Sequence, residues 1–414
     1  MKQALATQEN KNNIAVSYAK TVYGQKEIDA VVKCLNEGTQ MGKYAREFEK
    51  KIANLFDKKY GLFVNSGSSA LYIGVEAMAK VFGFKKGAEV ITPALTFSTT
   101  IGSIYKAGLI PAYVDVGESD YCIDVNKIEE MINPNTVAIS APNLMGNVCN
   151  WEEISQIARK HNLKIIEDSA DTLGGTLNGK PSGAWSDMSI TSFYGSHIIN
   201  CAGNGGMLCI NDDEFLKEAK LLRSWGRSSS IFDEKSESIE NRFNVYIDEI
   251  QYDAKFLFER IGYNLEGSEI GAAFGLVQLE DLEKNIITRE NNFNKQKQFF
   301  DKYSEFFTTP NYTKGVRSGW LAFPIIVKES APFSRSELQI FLEKRNIQTR
   351  VVFTGNITRQ PGYKNLEMKK SNSGYKNADN VMRGGVLLAC HHGLNDEMFA
   401  HMHSSVEEFL KQYN

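Results

Sequence analysis

The order of apolar and polar positions along the chain predicts short strands that alternate with amphipathic helices. Residues 26–57 and residues 68–82 carry apolar side chains at the spacing of one helix face. Six short apolar runs are interpreted as strands: residues 89–93, 111–115, 136–140, 164–168, 189–193 and 206–210. Because helical patterns separate most of these runs, they predict βαβ units, and therefore an α/β fold with a mainly parallel sheet.

The second half of the chain has a different pattern. Residues 228–250 hold five serines and several charges, which predicts an excursion on the surface. The remaining pattern predicts helices at about 270–305, 334–345 and 395–412 and strands at 321–327 and 348–353. We expect a domain boundary at about 280–300, which divides the chain into an N-terminal arm (residues 1–20), a large domain (21–285) and a small C-terminal domain (286–414).

Composition and charge exclude several classes of function. The 414 residues include 47 Lys plus Arg against 50 Asp plus Glu, so the basic excess typical of nucleic-acid-binding proteins is missing. The chain starts with a polar segment and has no run near the roughly 20 apolar residues of a membrane helix, so we expect a cytoplasmic protein without a membrane partner. The six cysteines, at positions 34, 122, 149, 201, 209 and 390, form neither a CxxC pair nor a disulfide framework.

A candidate anion site lies at residues 65–70, with the sequence Asn-Ser-Gly-Ser-Ser-Ala. This segment follows the apolar residues 61–64 and precedes a helical pattern. Free backbone N–H groups and the helix dipole at such a turn favour a phosphate. A simple N-cap turn is the alternative, and it is the more common case for this segment taken alone.

Two further strand ends carry polar groups. Asp168 ends the apolar run 164–168, where open α/β sheets bind ligands, and it could hold the protonated nitrogen of a heteroaromatic ring or simply cap the next element. Ser192 ends the next run and could offer its hydroxyl to a phosphate, and His197 lies on the turn beyond it. A lone histidine is more often a packing or surface residue than a catalyst. The glycines within 203–206 permit a close approach of the backbone.

Taken together, these segments resemble the fold type I enzymes that depend on pyridoxal phosphate and, more narrowly, the sugar aminotransferase family known as DegT/DnrJ/EryC1/StrS. The resemblance covers about residues 20–410 and is carried by residues 65–70, 92–100, 167–174, 192–206, 223–227, 262–264 and 270–279. It implies a large cofactor-binding domain around a mainly parallel seven-stranded sheet, a small C-terminal α+β domain and a homodimer.

One departure from the family pattern is decisive. His197 stands on the turn where the aminotransferases carry the lysine that binds the cofactor, and no lysine occurs between Lys180 and Lys217. This is similar to a subgroup, the 3-dehydratases of nucleotide-linked 4-keto-6-deoxyhexoses. Residues 195–197 and 356–361 resemble the branch typified by CDP-4-keto-6-deoxyglucose 3-dehydrase, which binds a [2Fe–2S] cluster. That branch supplies cysteines after the 223–227 segment, whereas residues 228–232 here are Ser-Ser-Ser-Ile-Phe, so no cluster is predicted.

The resemblance implies a role for each site residue. His197 is the expected base and Asp168 the partner of the cofactor ring nitrogen. The other expected cofactor contacts are a stacking ring at Phe97, phosphate contacts at Gly67, Ser68, Ser69 and Ser192, a contact of Asp171 near the 3′ oxygen, and Asn264 from a partner chain. Ser196 and Arg359 are expected at the substrate, Arg359 because its planar fork fits a carboxylate or diphosphate. No metal ligands are predicted.

The implied reaction removes the C3 hydroxyl of a nucleotide-linked 4-keto-6-deoxyhexose in deoxysugar biosynthesis, of the lipopolysaccharide or O-antigen type. Pyridoxamine 5′-phosphate or pyridoxal 5′-phosphate would be the cofactor, and L-glutamate is a candidate amino donor.

Two alternatives stay open at this point. An atypical sugar-nucleotide aminotransferase would use a lysine elsewhere in the chain, and a non-catalytic protein would only bind the sugar nucleotide. The nucleotide and the configuration of the sugar are not determined by the sequence.

Overall fold

A computed structural model describes residues 14–231 and 239–413 of the chain. Its strands are β1 Tyr60–Val64, β2 Glu89–Pro93, β3 Ile110–Val114, β4 Thr136–Pro142, β5 Lys164–Asp168, β6 Thr176–Leu177, β7 Lys180–Pro181, β8 Met188–Ser192, β9 Gly206–Ile210, β10 Val245–Ile247, β11 Ile250–Tyr252, β12 Phe307–Thr308, β13 Val316–Arg317, β14 Ala322–Val327, β15 Lys369–Lys370 and β16 Gly385–Ala389. Its helices are α1 Gln25–Glu37, α2 Lys43–Leu55, α3 Gly67–Val81, α4 Ser98–Lys106, α5 Trp151–His161, α6 Asp213–Arg223, α7 Ile239–Arg242, α8 Glu269–Glu280, α9 Leu282–Phe300, α10 Arg335–Glu343, α11 Lys376–Gly384 and α12 Asp396–Leu410.

The main sheet has the strand order β1-β9-β8-β5-β4-β2-β3-β15. Only β9 runs antiparallel to its neighbours within this sheet, so the predicted α/β fold with a mainly parallel sheet is confirmed. Seven of the strands come from residues 60–210, as expected. The eighth, β15, has two residues and pairs with β3 at the edge, because a segment of the C-terminal part of the chain returns to the large sheet.

The helical patterns are divided more finely than the periodicity predicts. The pattern at 26–57 forms α1 and α2, separated by a turn in which Gly38 has a φ of 141°. The pattern at 270–305 forms α8 and α9, because Asp281 leaves helical geometry between them with φ −95° and ψ 4°. The predicted strand at 348–353 is wrong, since its regular pairing is limited to one bridge from Arg350 to Leu387.

Apolar helix faces cover both sides of the main sheet. Helices α3, α4 and α6 pack on one face, around Leu71, Ile104 and Phe215. The other face is covered by α5 around Trp151, and by α2 and α8 around Phe48. A separate core forms between α9, α10, α12 and the three-stranded sheet β12-β14-β16. The segment after β4 contacts the small sheet, because the N–H of Leu321, just before β14, donates to the carbonyl of Met145 at 2.8 Å.

The N-terminal arm belongs to the second core by its contacts. Val16 is buried there, its N–H donates to the carbonyl of Asn346 at 2.8 Å, and its carbonyl accepts from the N–H of Gln348 at 2.9 Å. Residues 1–13 of the predicted arm lie outside the described residues, as do residues 232–238 of the predicted surface excursion. The described part of that excursion forms the exposed hairpin β10–β11. The proposed domain limits stay a prediction.

Candidate active site

The predicted site residues gather at the carboxyl edge of the main sheet. Asp168 and Ser192 are the last residues of β5 and β8, and the turn before α3 follows the last residue of β1. Parallel strands end at the same edge, so residues about 100 positions apart become neighbours there. The sequence predicted this edge as the ligand site.

The turn at residues 65–69 forms the first wall of the site. Ser66 is the N-cap of α3, and its Oγ accepts from the N–H of Ser69 at 3.1 Å. The hydroxyl of Ser69 donates to Oδ1 of Asn65 at 2.6 Å, so this hydroxyl acts within the turn. The N-cap interpretation therefore describes Ser66 and Ser69 correctly. It is compatible with an anion site, because the other N–H groups of the first turn stay free of helix bonds.

Close backbone packing places two further serines at this turn. A methyl group on Gly67 would lie 2.7 Å from Cβ of Ser192, and one on Gly206 would lie 2.2 Å from the backbone of Ser66. The Oγ of Ser68 lies 3.1 Å from Oγ1 of Thr99, which is in the first turn of α4. Two helix N-termini, Gly67, Ser68 and Ser192 thus surround one position. This geometry fits a phosphate, because both helix dipoles favour a negative charge there.

Asp168 is a buried carboxylate. Its Oδ2 accepts from Oγ1 of Thr100 at 2.7 Å and its Oδ1 from the N–H of Ala170 at 3.2 Å. Within the described residues it has no ion pair. Burial raises its pKa from the ordinary value, while the Thr100 hydroxyl opposes that rise. A buried carboxylate of this kind is a suitable partner for a protonated ring nitrogen, since that cation would compensate its charge.

Asp171 lies three residues beyond Asp168 and is also buried. Its Oδ2 accepts from the N–H of Met145 at 2.9 Å. Burial is the main reason that its pKa rises to about 7, and the charge of Asp168 adds to the rise. Met145 adopts a left-handed backbone with φ 58°, and its carbonyl accepts from Leu321, so Asp171 is connected to the entry of β14.

His197 lies on the turn after β8 with a defined tautomer. Its Nδ1 is 2.5 Å from the carbonyl oxygen of Ala170. Because a carbonyl only accepts, Nδ1 carries the proton and Nε2 keeps a free lone pair. Burial lowers the pKa of His197 to about 4, the bond to Ala170 opposes this, and the charge of Arg289 adds to it. The imidazole is therefore neutral at physiological pH and can act as a base through Nε2.

The backbone of this turn is held from several directions. The N–H of His197 donates to Tyr194, and the N–H of Gly195 donates to Gly203 at 3.0 Å. The hydroxyl of Thr21, just after the predicted N-terminal arm, donates to the carbonyl of Gly195 at 2.5 Å. Nη2 of Arg289 donates to the carbonyl of His197 at 3.3 Å. These hydrogen bonds fix the backbone of the turn and therefore the orientation of the imidazole.

The remaining predicted residues differ in their surroundings. The ring of Phe97 is 48% exposed, which excludes a buried core role, and it contacts the ring of Phe353 edge-on with centroids 6.1 Å apart. Ser196 is half-buried beside His197. Asn264 is exposed on a segment that pairs with Ser224, so its predicted role in a partner's site stays a prediction. Arg359 is less suitable than predicted, because Nε and Nη2 both donate to the carboxylate of Asp379 at 2.6 Å.

Several residues of the site were missed by sequence reasoning. Thr99 and Thr100 lie in a segment that carries the family resemblance, so their roles were within reach. Thr21, Met145 and Arg289 had no local signal, since each acts through a contact with a distant segment.

Comparison with known proteins decides the family. The DegT/DnrJ/EryC1/StrS aminotransferase family matches residues 22–407. The chain belongs to this family. The lipopolysaccharide biosynthesis protein RfbH of Salmonella typhimurium is 33% identical over 396 residues, covering 94% of this chain and 90% of that protein. The dTDP-4-dehydro-2,6-dideoxy-D-glucose 3-dehydratase of Saccharopolyspora spinosa is 31% identical over 375 residues, covering 89% of this chain and 80% of that protein.

A solved structure agrees with this assignment. The Escherichia coli GDP-4-keto-6-deoxy-D-mannose-3-dehydratase with bound hydrated pyridoxal phosphate is 27% identical, with a TM-score of 0.84, and the match covers 95% of this chain and 100% of that one. The predicted resemblance, fold and pyridoxal phosphate dependence are thereby confirmed. The DegT/DnrJ/EryC1/StrS protein described here is a pyridoxal phosphate-dependent enzyme that modifies sugar nucleotides.

The cofactor fits the residues at the carboxyl edge. The turn at 65–69 with Ser192 fits its phosphate, the uncompensated carboxylate of Asp168 fits its ring nitrogen, and the exposed ring of Phe97 fits its flat face. Within the described residues, no group of three or more His, Cys, Asp or Glu could hold a metal ion. The six cysteines are buried free thiols, and the absence of an iron–sulfur cluster stays a prediction. No helix in the described ranges has the length and apolar character needed to cross a bilayer.

Proposed function

We propose that this enzyme is a 3-dehydratase of a nucleotide-linked 4-keto-6-deoxyhexose. The observation that carries the proposal is the neutral His197 on the turn after β8, with its Nε2 lone pair free and its Nδ1 bound to Ala170. Imidazole can take and return a proton but forms no stable covalent link with the cofactor. A histidine at this position therefore favours elimination over the amino transfer that a lysine would support.

Each group at the edge has a task in this scheme. The pyridoxamine form of the cofactor supplies, when bound, an amine for the C4 ketone of the sugar and an aromatic ring that withdraws electrons. Nε2 of His197, whose lone pair is free, would be the base for a proton at the cofactor's C4′ carbon. Asp168 keeps a proton on the ring nitrogen, because its buried carboxylate has no other cation among the described residues. Asp171, whose pKa is raised to about 7 by burial, would hold the cofactor's 3′ oxygen and could share a proton with it.

The substrate and partners follow the same scheme. A nucleotide-linked 4-keto-6-deoxyhexose is the proposed substrate, with Ser196 beside the reacting carbons, and L-glutamate is the proposed donor that restores the aminated cofactor. A homodimer is supported by exposed apolar side chains in residues 250–263, which follow the strands 60–210 of the large sheet along the chain. Ile250, Phe258, Ile261 and Tyr263 are all exposed, Ile261 to 94%. Asn264 lies at the end of this surface, which is consistent with its proposed contribution to a partner's site. The setting we propose is the cytoplasm.

The test is a substrate panel. The purified enzyme is incubated with pyridoxamine phosphate, L-glutamate and CDP-, GDP- or dTDP-linked 4-keto-6-deoxyhexoses, and the products are weighed by mass spectrometry. Loss of the C3 oxygen from at least one substrate, without gain of nitrogen by the sugar, supports the proposal. An amino sugar as the main product would contradict it.

The aminotransferase alternative has one specific support, namely the function for which the family is named. It needs a lysine that reaches the cofactor. Lys58 is buried, but its Nζ donates to the carbonyl of Ser186, away from the carboxyl edge. Borohydride reduction of the cofactor-loaded enzyme, followed by peptide mass spectrometry, distinguishes the alternatives: a cofactor-modified lysine favours aminotransfer.

A further inference from the structure

Arg289 is the most deeply buried charged side chain beside the proposed base. It lies in the middle of α9 and has 0% of its surface exposed. Its guanidinium makes no ion pair with a described carboxylate. Its four bonds go to the carbonyls of Trp320 at 3.0 Å, Leu321 at 3.3 Å and His197 at 3.3 Å, and to Nδ1 of His392 at 3.1 Å.

A purely structural role does not explain this choice of residue. A buried cation without a counter-charge is costly, and burial lowers even the pKa of this guanidinium, to about 10. Carbonyl oxygens can be satisfied by neutral donors at lower cost. The four bonds also connect three separate segments: the histidine turn, the entry of β14 and the turn after β16. Arg289 thus joins His197 to the small sheet while its charge stays uncompensated.

We propose that Arg289 is a positioning residue that holds the histidine turn and places a buried, uncompensated positive charge at the backbone of His197. This inference rests on the proposed role of His197 as the base. Arg289 does not touch the reacting atoms, since its contact is with the backbone carbonyl of His197. It acts by making the protonated form of His197 unfavourable.

The other charged groups around His197 do not replace this effect. Tyr194 contacts the imidazole edge-on, with ring centroids 6.2 Å apart. Asp168, the last residue of β5, and Asp171, three residues later, would favour a protonated imidazole when ionised. Tyr18 of the arm adds no charge, because burial raises its pKa. His391 and His392 stay neutral, because burial lowers their pKa values to about 4 and about 3. Burial is the main cause of the lowered pKa of His197, and Arg289 is the charged group that adds to this lowering.

The consequence is that His197 remains unprotonated, and can act as a base, at a lower pH than an ordinary histidine. A histidine whose pKa lies below its ordinary value of about 6.5 keeps its lone pair as the pH falls toward that lower value. Removal of the Arg289 charge should raise the pKa, so the acid limb of activity should move to higher pH. A residue that only supports the fold would lower the rate at every pH and leave that limb in place.

The experiment is a histidine titration by NMR on the full-length protein, labelled at histidine Cε1, with and without pyridoxamine phosphate. The His197 signal is assigned with His197→Asn. In the wild-type protein we expect this signal to remain that of a neutral Nδ1–H tautomer down to about pH 5. In Arg289→Met we expect its midpoint to rise by on the order of 1 pH unit, and the acid limb of kcat/KM to rise with it. A wild-type midpoint near 6.5, or an unchanged midpoint in Arg289→Met, would overturn the proposal.

Two further variants separate charge from packing. Arg289→Lys keeps the charge but loses most of the bonds, so we expect a midpoint close to the wild-type value and a kcat lowered by about 10-fold. A midpoint raised as far as in Arg289→Met would overturn the charge effect. Arg335→Met is the matched control, because Arg335 donates to the carbonyl of Met382 outside this network, and it should move neither quantity. If Arg289→Met does not fold, Arg289→Gln takes its place in the titration, because it removes the charge and keeps amide donors for the carbonyls, and an unchanged midpoint there would overturn the proposal.

The titration and the substrate panel fail independently. A neutral His197 whose midpoint follows the Arg289 charge, in an enzyme that removes no C3 oxygen, would refute the proposed function and leave the electrostatic coupling intact. An enzyme that removes the C3 oxygen, but whose His197 titrates near 6.5, would support the proposed function and refute the electrostatic coupling.

Discussion

The two turns that meet at the carboxyl edge are held in opposite ways. The phosphate turn, residues 65–69, is held by its own neighbours, since Asn65, Ser66 and Ser69 bond to one another. The histidine turn, residues 194–197, is held by Thr21, Ala170 and Arg289, which lie 27 to 174 positions away from the residues they contact. The comparison teaches that the side-chain bonds that shape the phosphate turn are local, whereas the direction and charge of the base depend on contacts with distant segments.

The comparison extends to pH. The phosphate turn is built from glycine, serine and asparagine, which do not titrate. The histidine turn is next to Asp168, Asp171 and Arg289, all of which have pKa values shifted chiefly by burial. We therefore expect the pH dependence of the enzyme to arise on the histidine side, and the following predictions test this division.

The largest effect is expected at the histidine turn itself. His197→Asn keeps the size and removes the base, so single-turnover loss of the C3 oxygen should slow by about 10²–10⁴-fold. The affinity for pyridoxamine phosphate, measured by fluorescence titration, should stay near the wild-type value, because the phosphate turn is untouched. A variant with near wild-type loss of oxygen and exchange of the C4′ hydrogen would make His197 a structural residue.

The next effect concerns Asp171 and the pH dependence of the protein's free energy of unfolding. The folded pKa of Asp171, about 7, lies above its ordinary value of 3.8, so the folded state binds this proton more tightly. Stability from this group is present below about pH 4 and is lost as the pH rises through about 7. Asp171→Asn cannot ionise and keeps an acceptor for Met145, so it should be more stable than the wild type at pH 8, by up to about 4 kcal/mol.

Urea unfolding of the apo protein at pH 5 and pH 8 measures this difference. The gain should shrink toward pH 5, and contributions from other groups cancel because both proteins share them. Equal slopes of stability against pH in the two proteins would show that Asp171 is already ionised at neutral pH.

A smaller effect is expected in the packing of the phosphate turn. In Gly67→Ala the new methyl group would lie 2.7 Å from Cβ of Ser192, so the turn and β8 must move apart. Overpacking of this kind costs about 1–3 kcal/mol, and we expect the loss in the affinity for pyridoxamine phosphate. Gly362→Ala is the control, since its methyl group would meet no atom within 4 Å. Equal affinities in the two variants would argue against a phosphate at this turn.

The smallest effects form a reciprocal pair. Thr21→Val removes the hydroxyl that bonds to Gly195 and should lower kcat by several-fold, equivalent to about 1 kcal/mol, with unchanged cofactor affinity. Ser66→Ala removes the cap of α3 and should lower the free energy of unfolding by about 1 kcal/mol and weaken cofactor binding, with little change in the rate of the bound complex. If both variants changed rate and affinity to the same extent, the two turns would not be independent.

The sequence predicted most of the large sheet and its site edge, and less of the second half of the chain. The runs ending at Asp168 and Ser192 were recognised as strands with polar ends, because alternation and turn residues are local signals. The segment at 348–353 was misread as a strand, since a short apolar run is equally compatible with a loop packed on β16. The division between α8 and α9 at Asp281 carried no breaker residue that periodicity would detect.

What the sequence by itself determined is the order of the βαβ units, the capped turn before α3 and the replacement of a lysine by His197. Each of these is written in a few consecutive residues. Only the tertiary structure decided that the carbonyl of Ala170 selects the tautomer of His197. It also decided that Arg359 donates to Asp379, and that the buried Arg289 donates to the carbonyl of His197. The physical reason is that hydrogen bonds and charges act over a few ångströms in space, and folding alone brings residues from distant segments within that range.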